Sequence, residues 1–348
     1  MKSRITRKKH IYIIAEAGVN HNGSLKLAKK LIDIACDAGA DAVKFQTWLP
    51  GELTGKFAFK VDYLDTTTSQ DESRFELSRR LCLSYDAFRE LKLYTDNKKI
   101  EFLSTPDGFK SLDFLVDELS IPIIKVGSTE LNHLSFLQAV ALKNLPVILS
   151  TGLGNIDEVS LALETLRHYG GNDLPITLLQ CTSEYPAPIE EMNLNVIKTY
   201  EKKFKNIKVG LSDHSNGFEA SIAAAAMGSQ IIEKHFTLDK NMEGPDHSAS
   251  LDPEELDRFV KSIRTTERML GNGIKEPTES EKKNLEGIRR SVVASNNLKS
   301  GVILRKEDLI CKRPGTGISP TKIDSLIGRR INKDLLEDEP IKEEYLSD

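Results

Sequence analysis

Two short apolar runs, one after the other, each deliver an imidazole at the same end: GLSDH stops at His214 and IIEKH at His235. A lone histidine at a strand end ordinarily serves as a hydrogen-bonding residue. Two on neighbouring strands at matching depth can share one divalent metal, with water or a substrate oxygen in the open positions. With only two nitrogens among oxygens, Mn2+ suits such a site, as do Co2+ and Mg2+, ahead of a structural zinc. Glu16, in the run AEAG, could position water or take a proton there, or simply pair with a lysine. Lys44 and Lys125, with the hydroxyls of Thr105, Ser128, Ser150, Ser183 and Ser212, suit a small phosphorylated or carboxylated anion. Either lysine could instead be the Schiff-base nucleophile of a barrel aldolase.

These residues share a placement. Eight strand-like runs recur at 11–18, 41–47, 101–106, 121–128, 146–152, 176–183, 207–214 and 229–237. Between them lie stretches of helical periodicity such as LKLAKKLIDIACDAG, with apolar residues three and four apart and a glycine at the close. Continuous apolar strands alternating with helices predict a parallel sheet covered on its outer face. Eight of them over residues 1–270 predict a closed (β/α)8 TIM barrel rather than an open doubly wound sheet, and no GxGxxG follows the first run. The active site of such a barrel lies at the C-terminal strand ends. There the sequence places Glu16; Lys44 and Gln46; Ser104 and Thr105; Lys125 and Ser128, with Glu130 following; Ser150 and Thr151; Thr182 and Ser183, with Tyr185 beyond; Ser212, Asp213 and His214; and Glu233 and His235. Polar side chains at every strand end predict a polar cup, because each would need a partner if buried in a core. In the loop NHNGS, Ser24 is expected to cap the next helix. His10, His133 and His168 read as surface or loop residues, whereas His247, in GPDHS, is placed to approach the cup.

The polar stretch 271–286 reads as a linker, and 287–348 as a small β-rich domain whose core would be thin alone. The chain has 348 residues, is 39% hydrophobic and 29% charged, and carries a net charge of -4. This is the composition of a globular protein and gives no global surface for nucleic acid or membrane. No apolar run reaches the ~18 residues of a spanning helix. Four scattered cysteines, Cys36, Cys82, Cys181 and Cys311, read as reduced thiols of a cytoplasmic protein.

The segments IIAEAGVNHNGS, AVKFQT, FLSTP, IKVGSTE, ILSTG, CTSEYPAP, GLSDHS and EKHFTLD, with GPDHSASLDPEEL, resemble the sialic acid (N-acetylneuraminate) synthase family. KSGVILRKEDLICKRPGTGI resembles that family's antifreeze-like (SAF) domain. The resemblance runs through nearly the whole chain. It implies a TIM barrel joined to a small β-rich domain, in a domain-swapped homodimer. It also implies the condensation of phosphoenolpyruvate with an N-acetylated hexosamine aldehyde, giving a nine-carbon 2-keto acid and phosphate. In family terms His214 and His235 hold the metal, and Glu16 orients or deprotonates the water. Lys44, Thr105, Lys125, Ser128, Ser150, Ser183 and Ser212 fall on the phosphoenolpyruvate positions. Gln46, Tyr185 and Asp246 fall on the sugar positions, and Arg313 matches the arginine that the partner chain's small domain contributes. Ser183, Gly287 and Arg289 depart from the neuraminate-specific pattern. CTSEYPAP looks more like the legionaminic acid branch, which leaves N-acetylmannosamine and 2,4-diacetamido-2,4,6-trideoxymannose both open as acceptors. A carbohydrate-binding role for the small domain alone leaves the cup unexplained.

Overall fold

The computed structural model describes residues 10–347 apart from 62, 63, 65, 66 and 70. The chain divides after Gly271 into two compact units.

The first unit is a ring of eight parallel strands: β1 (Tyr12–Gly18), β2 (Ala42–Thr47), β3 (Glu101–Pro106), β4 (Ile124–Val126), β5 (Val147–Ser150), β6 (Ile176–Cys181), β7 (Lys208–Asp213) and β8 (Ile231–His235). Their order is β3-β2-β1-β8-β7-β6-β5-β4, and β3 packs beside β4 to bring the ring to near closure. Every expected strand is present. β4 is three residues long where eight were expected, because residues 121–123 and 127–128 of the run lie outside the ladder. Helix starts are set by side-chain caps: Ser24 accepts from Leu27 N, as expected, and Asn155 and Asp252 build capping boxes.

The strands carry two apolar layers. Ile13, Val43, Phe45, Phe102, Val126, Leu149, Leu178, Leu211 and Ile232 belong to the large core shared with the helices. Tyr12, Ile14, Ala42, Leu103, Ile123, Ile148, Leu179 and Ile231 form a separate buried cluster that fills the lower barrel. Stepping two residues along from this cluster reaches Glu16, Lys44, Thr105, Lys125, Ser150, Cys181 and Glu233. A strand's side chains alternate between faces, so the inner face changes from apolar to polar toward the C-terminal ends.

The second unit has its own small core, made by Val292, Ala294, Leu298, Leu304, Leu326, Ile331, Leu335 and Ile341 among others. Its ladders are antiparallel: β9 (Ser291–Ala294) pairs with β10 (Leu309–Lys312), and β11 (Arg330–Ile331) with β12 (Leu346–Ser347). The stretch expected to be a linker carries two short helices, Glu279–Lys282 and Leu285–Ile288, and groups with this unit. Among the described residues no helix is long and apolar enough to cross a membrane, and all four cysteines are free.

Candidate active site

The C-terminal strand ends open into a cavity of about 700 Å3. All thirteen site residues expected from the barrel line it: Glu16, Lys44, Gln46, Thr105, Lys125, Ser128, Ser150, Ser183, Tyr185, Ser212, His214, His235 and Asp246. Arg313 lies in the second unit, exposed, with its Nε donating to the Ile288 carbonyl at 2.9 Å.

At the cavity floor Glu233 Oε1 stands 3.7 Å from Lys44 Nζ and 3.6 Å from Lys125 Nζ, and accepts from Ser212 Oγ at 3.0 Å. Lys44 Nζ also lies 2.9 Å from Glu16 Oε1 and donates to Thr105 Oγ1 at 3.1 Å. Lys125 donates to Ser150 Oγ at 2.8 Å. All of these side chains are buried. Burial pushes the Glu16 carboxyl well up, and neighbouring Glu233 adds to this, against the opposing pull of Lys44. Burial works against ionisation of Glu233 too, but Lys125 and Lys44 outweigh it and hold that carboxyl low. Burial lowers the Lys125 ammonium, whereas Glu16 and Glu233 more than offset burial at Lys44 and raise it. Two lysines thus face one favoured carboxylate and one suppressed one, a balance that draws in an anion.

Four buried atoms here make no hydrogen bond: Glu16 Oε1, which has only its ion pair with Lys44, Glu16 Oε2, Glu233 Oε2 and His235 Nδ1. Buried polar atoms are nearly always satisfied, so a cluster of orphans marks groups arranged for something else to bind. The imidazoles fit a metal. His214 Nδ1 lies 2.7 Å from the Thr182 carbonyl, which can only accept. Nδ1 therefore carries a proton, and Nε2 faces the cavity, 3.2 Å from the Tyr185 hydroxyl. Burial opposes charging of this ring, but Cys181 and the Thr182 carbonyl outweigh it and raise it above its usual range, so a metal would compete with a proton for Nε2. Burial and neighbouring His214 keep His235 well below its usual range, in the neutral form that ligates. The two rings stand 5.3 Å apart. A side chain at Gly18 would put Cβ 3.3 Å from Glu16 Oε1, 3.3 Å from His235 Cε1 and 3.4 Å from Asp246 Oδ2, so the glycine keeps open the point where these groups converge. Among the described residues no group of three His, Cys, Asp or Glu side chains is arranged to hold a metal, so the remaining positions would fall to water or substrate.

Four polar residues expected in the cup turn away from it. Ser104 bonds Thr47 at 2.7 Å, Thr151 donates to the Leu179 carbonyl at 2.8 Å, and Thr182 to that of Glu191 at 3.1 Å. Asp213 pairs with Lys234 at 3.2 Å, wholly buried. Alternation is the reason: a strand that presents Thr105 inward must present Ser104 outward. Glu130 is held by His133 at 2.6 Å. His247 is buried in the loop after β8 and does not line the cavity. Other lining residues had no role assigned from sequence. Cys181 is buried, its thiol 3.7 Å from His214 Nδ1. Asp107 is pushed up to about 7 by burial and by Glu130. Lys60 and Arg74 reach the cavity from the segment between β2 and β3. Position along β6 was the available signal for Cys181, two residues beyond inward Leu179; nothing periodic announced Lys60 or Arg74.

The NeuB family matches residues 31–275, and the SAF domain matches 289–346. N,N'-diacetyllegionaminic acid synthase of Campylobacter jejuni is 45% identical over 335 residues, covering 96% of this chain and 100% of that one. N-acetylneuraminate-9-phosphate synthase of Homo sapiens is 37% identical over 338 residues, covering 96% and 92%. The crystal structure of N-acetylneuraminic acid synthetase from Leptospira borgpetersenii, in complex with citrate, superimposes with a TM-score of 0.70 at 34% identity, covering 79% of this chain and 90% of that one. An eight-stranded parallel barrel with a polar, charge-laden mouth, matched end to end by synthases, leaves one assignment: the chain belongs to the NeuB family and is a carbon–carbon bond-forming transferase of the sialic and legionaminic acid synthase kind.

Proposed function

We propose that the enzyme condenses phosphoenolpyruvate with an N-acetylated mannosamine-type aldehyde, releasing phosphate and a nine-carbon 2-keto sugar acid. The supporting observation is the Glu233-bridged lysine pair, ringed by hydroxyls at the floor of a cavity with room for two small polar molecules. Lys44, Lys125, Thr105, Ser128, Ser150, Ser183 and Ser212 fix phosphoenolpyruvate and hold its charge as it redistributes. Gln46, Tyr185 and Asp246 orient the sugar, and Arg313, contributed by the small domain of the second copy in the homodimer, meets its N-acetyl end. A divalent metal, Mn2+ before Mg2+ or Co2+, held by His214 and His235, supplies Lewis-acid polarisation of the aldehyde oxygen when bound.

The methylene carbon of phosphoenolpyruvate bonds to the aldehyde carbon, whose oxygen takes a proton. Water adds at C2, oriented by Glu16, which is buried beside Lys44 and ionises reluctantly. The C2–O bond to phosphate then breaks, and the keto group forms. Phosphoenolpyruvate, aldehyde and water are thereby balanced by keto acid and phosphate. We place the reaction in the cytoplasm and in a domain-swapped homodimer, with no nucleic-acid or membrane partner. A fully active monomer by light scattering would remove the swap.

The test is phosphate release from phosphoenolpyruvate with Mn2+ or EDTA, against N-acetylmannosamine, its 6-phosphate and 2,4-diacetamido-2,4,6-trideoxymannose in turn. Release that EDTA abolishes supports the reading, and the best acceptor names the branch. The identity to the Campylobacter jejuni enzyme favours the diacetamido sugar. No release with any of them, from folded and metal-loaded protein, overturns the reading. Burial also lowers Lys125, as a Schiff-base nucleophile requires. Borohydride should nevertheless trap nothing on Lys125 or Lys44, and a trapped adduct would move the chemistry to the aldolase class.

A further inference from the structure

We infer that Asn20 and Asn22, in the loop after β1, are positioning residues that clamp the 236–250 loop and so set Asp246 against the sugar; this rests on reading Asp246 as a sugar contact. The NHNG motif has no part in the chemistry above, yet the Nδ2 groups of both its asparagines donate to one other loop. Asn20, fully buried, donates through Nδ2 to the Phe236 carbonyl at 2.8 Å and to Ser250 Oγ at 2.9 Å. Ser250 Oγ in turn donates to the backbone carbonyl of Asp246 itself, at 2.6 Å.

Asn22 holds the other side. Its Nδ2 donates to the Glu243 carbonyl at 2.9 Å, which fixes the amide orientation, because a carbonyl can only accept. Oδ1 therefore faces His247 Nε2 at 3.3 Å, and Nε2 carries the proton. The opposite nitrogen of that ring, Nδ1, accepts from Thr237 Oγ1 at 2.6 Å. His247 is fully buried, with both nitrogens committed to this tie. Gly244 is pressed onto the same pair: a Cβ there would lie 2.6 Å from His247 Cδ2 and 2.9 Å from Asn22 Oδ1.

Asp246 is thus bracketed, by Ser250 on its own carbonyl and by the Asn22–His247 tie one residue on. Both ties end on the loop that continues β1, the strand that supplies Glu16 and Gly18. The clamp therefore fixes Asp246 relative to the groups it meets at the cavity, including His235 Nδ1, 3.8 Å from its Oδ2. A loop held only for stability has no need to be referred to the strand that carries the reacting centre. A displacement of about 1 Å at a substrate contact can cost about a hundredfold.

The experiment compares Asn22→Ala and Gly244→Ala with wild type, using Asp246→Ala as the reference for the sugar contact. The readouts are apparent KM for each substrate in the phosphate-release assay, the melting temperature, and hydrogen exchange across residues 239–250 without substrate. Asn22→Ala should raise the sugar's KM by about 10- to 100-fold while phosphoenolpyruvate's stays within about twofold. Exchange over 239–250 should quicken, and Gly244→Ala should reproduce the pattern by pushing the loop off its seat. Equal movement of both KM values, or neither KM moving while the melting temperature falls, overturns the clamp and leaves the function standing. An unchanged sugar KM in Asp246→Ala overturns the underlying sugar contact, and the clamp's service to it, however the loop exchanges.

Discussion

Strands β7 and β8 bury charge on both faces, and the two faces obey different rules. On the outer face Asp213 and Lys234 sit opposite one another in the ladder, both fully buried. Every group there is answered. Asp213 Oδ1 accepts from Ser215 N at 2.9 Å and Ser215 Oγ at 2.6 Å, Oδ2 accepts from Ser221 Oγ at 2.6 Å, and Lys234 also donates to the Ser215 carbonyl. On the inner face Glu233 sits between two lysines with Oε2 unanswered, and His235 Nδ1 is unanswered beside it. A buried polar network is stable when complete. The outer pair is complete without help, whereas the inner cluster leaves buried atoms unanswered, as a ligand-binding site does. One residue of shift along the same strand separates a charge answered within the fold from one left partly unanswered.

The largest expected effect tests the inner face. Lys125→Met should lower phosphate release by about 10^3-fold or more, since it removes a fixed charge aimed at the reacting anion. The melting temperature should hold or rise, because burial already disfavours that ammonium. A large loss of stability with little loss of activity would make Lys125 a structural residue and collapse the contrast.

The outer face should respond the other way. Asp213→Ala leaves an unpaired buried ammonium and should cost about 3 kcal/mol in denaturant unfolding. Asp213→Leu with Lys234→Met together should recover most of that, because apolar replacement of a whole buried pair is often neutral. A double variant no better than the single one would show that the Ser215 turn, not the charge pair, is what Asp213 holds.

How much of this contrast the sequence carried follows from the same alternation. The eight strands and the residues of the cup were legible, because each run is apolar and then polar, and thirteen of the barrel positions do meet at one cavity. What alternation hides is which of two neighbouring polar residues points inward. Ser104 and Thr105 look alike in sequence, and only the register with β2, which pairs Ser104 with Phe45 and Thr105 with Gln46, sorts them. Glu233 was visible at its strand end but had no role, because its meaning is the 3.6 and 3.7 Å distances to lysines on two other strands. The clamp was invisible for a similar reason: Asn22 and His247 meet across 225 residues of chain.

Asp107 offers a pH handle on the inner face. Its carboxyl is raised from 3.8 to about 7 by burial first and Glu130 second. A raised acid favours the folded state while protonated, so its contribution erodes as pH climbs from the unfolded value near 4 to about 7. Asp107→Asn should abolish that slope, making the variant more stable than wild type by about 4 kcal/mol at pH 8 and no different below pH 4. Urea midpoints across that range would show it, and parallel curves would mean that water reaches the carboxylate.

The finest test uses one chemistry on both faces. Ser212 Oγ donates to inward Glu233 at 3.0 Å, and Ser221 Oγ donates to outward Asp213 at 2.6 Å. Removing either hydroxyl withdraws one hydrogen bond from a buried carboxylate, worth about 1.5 kcal/mol. Ser221→Ala should lose that much in stability and leave both KM values alone, since the outer network has no ligand to answer for it. Ser212→Ala should lose a similar amount in stability and, in addition, about tenfold in kcat/KM, because Glu233 then holds the two lysines of the proposed anion site less firmly. Identical responses from the two serines would show that the faces differ in composition but not in kind, and that the unanswered atoms of the inner cluster are not what sets it apart.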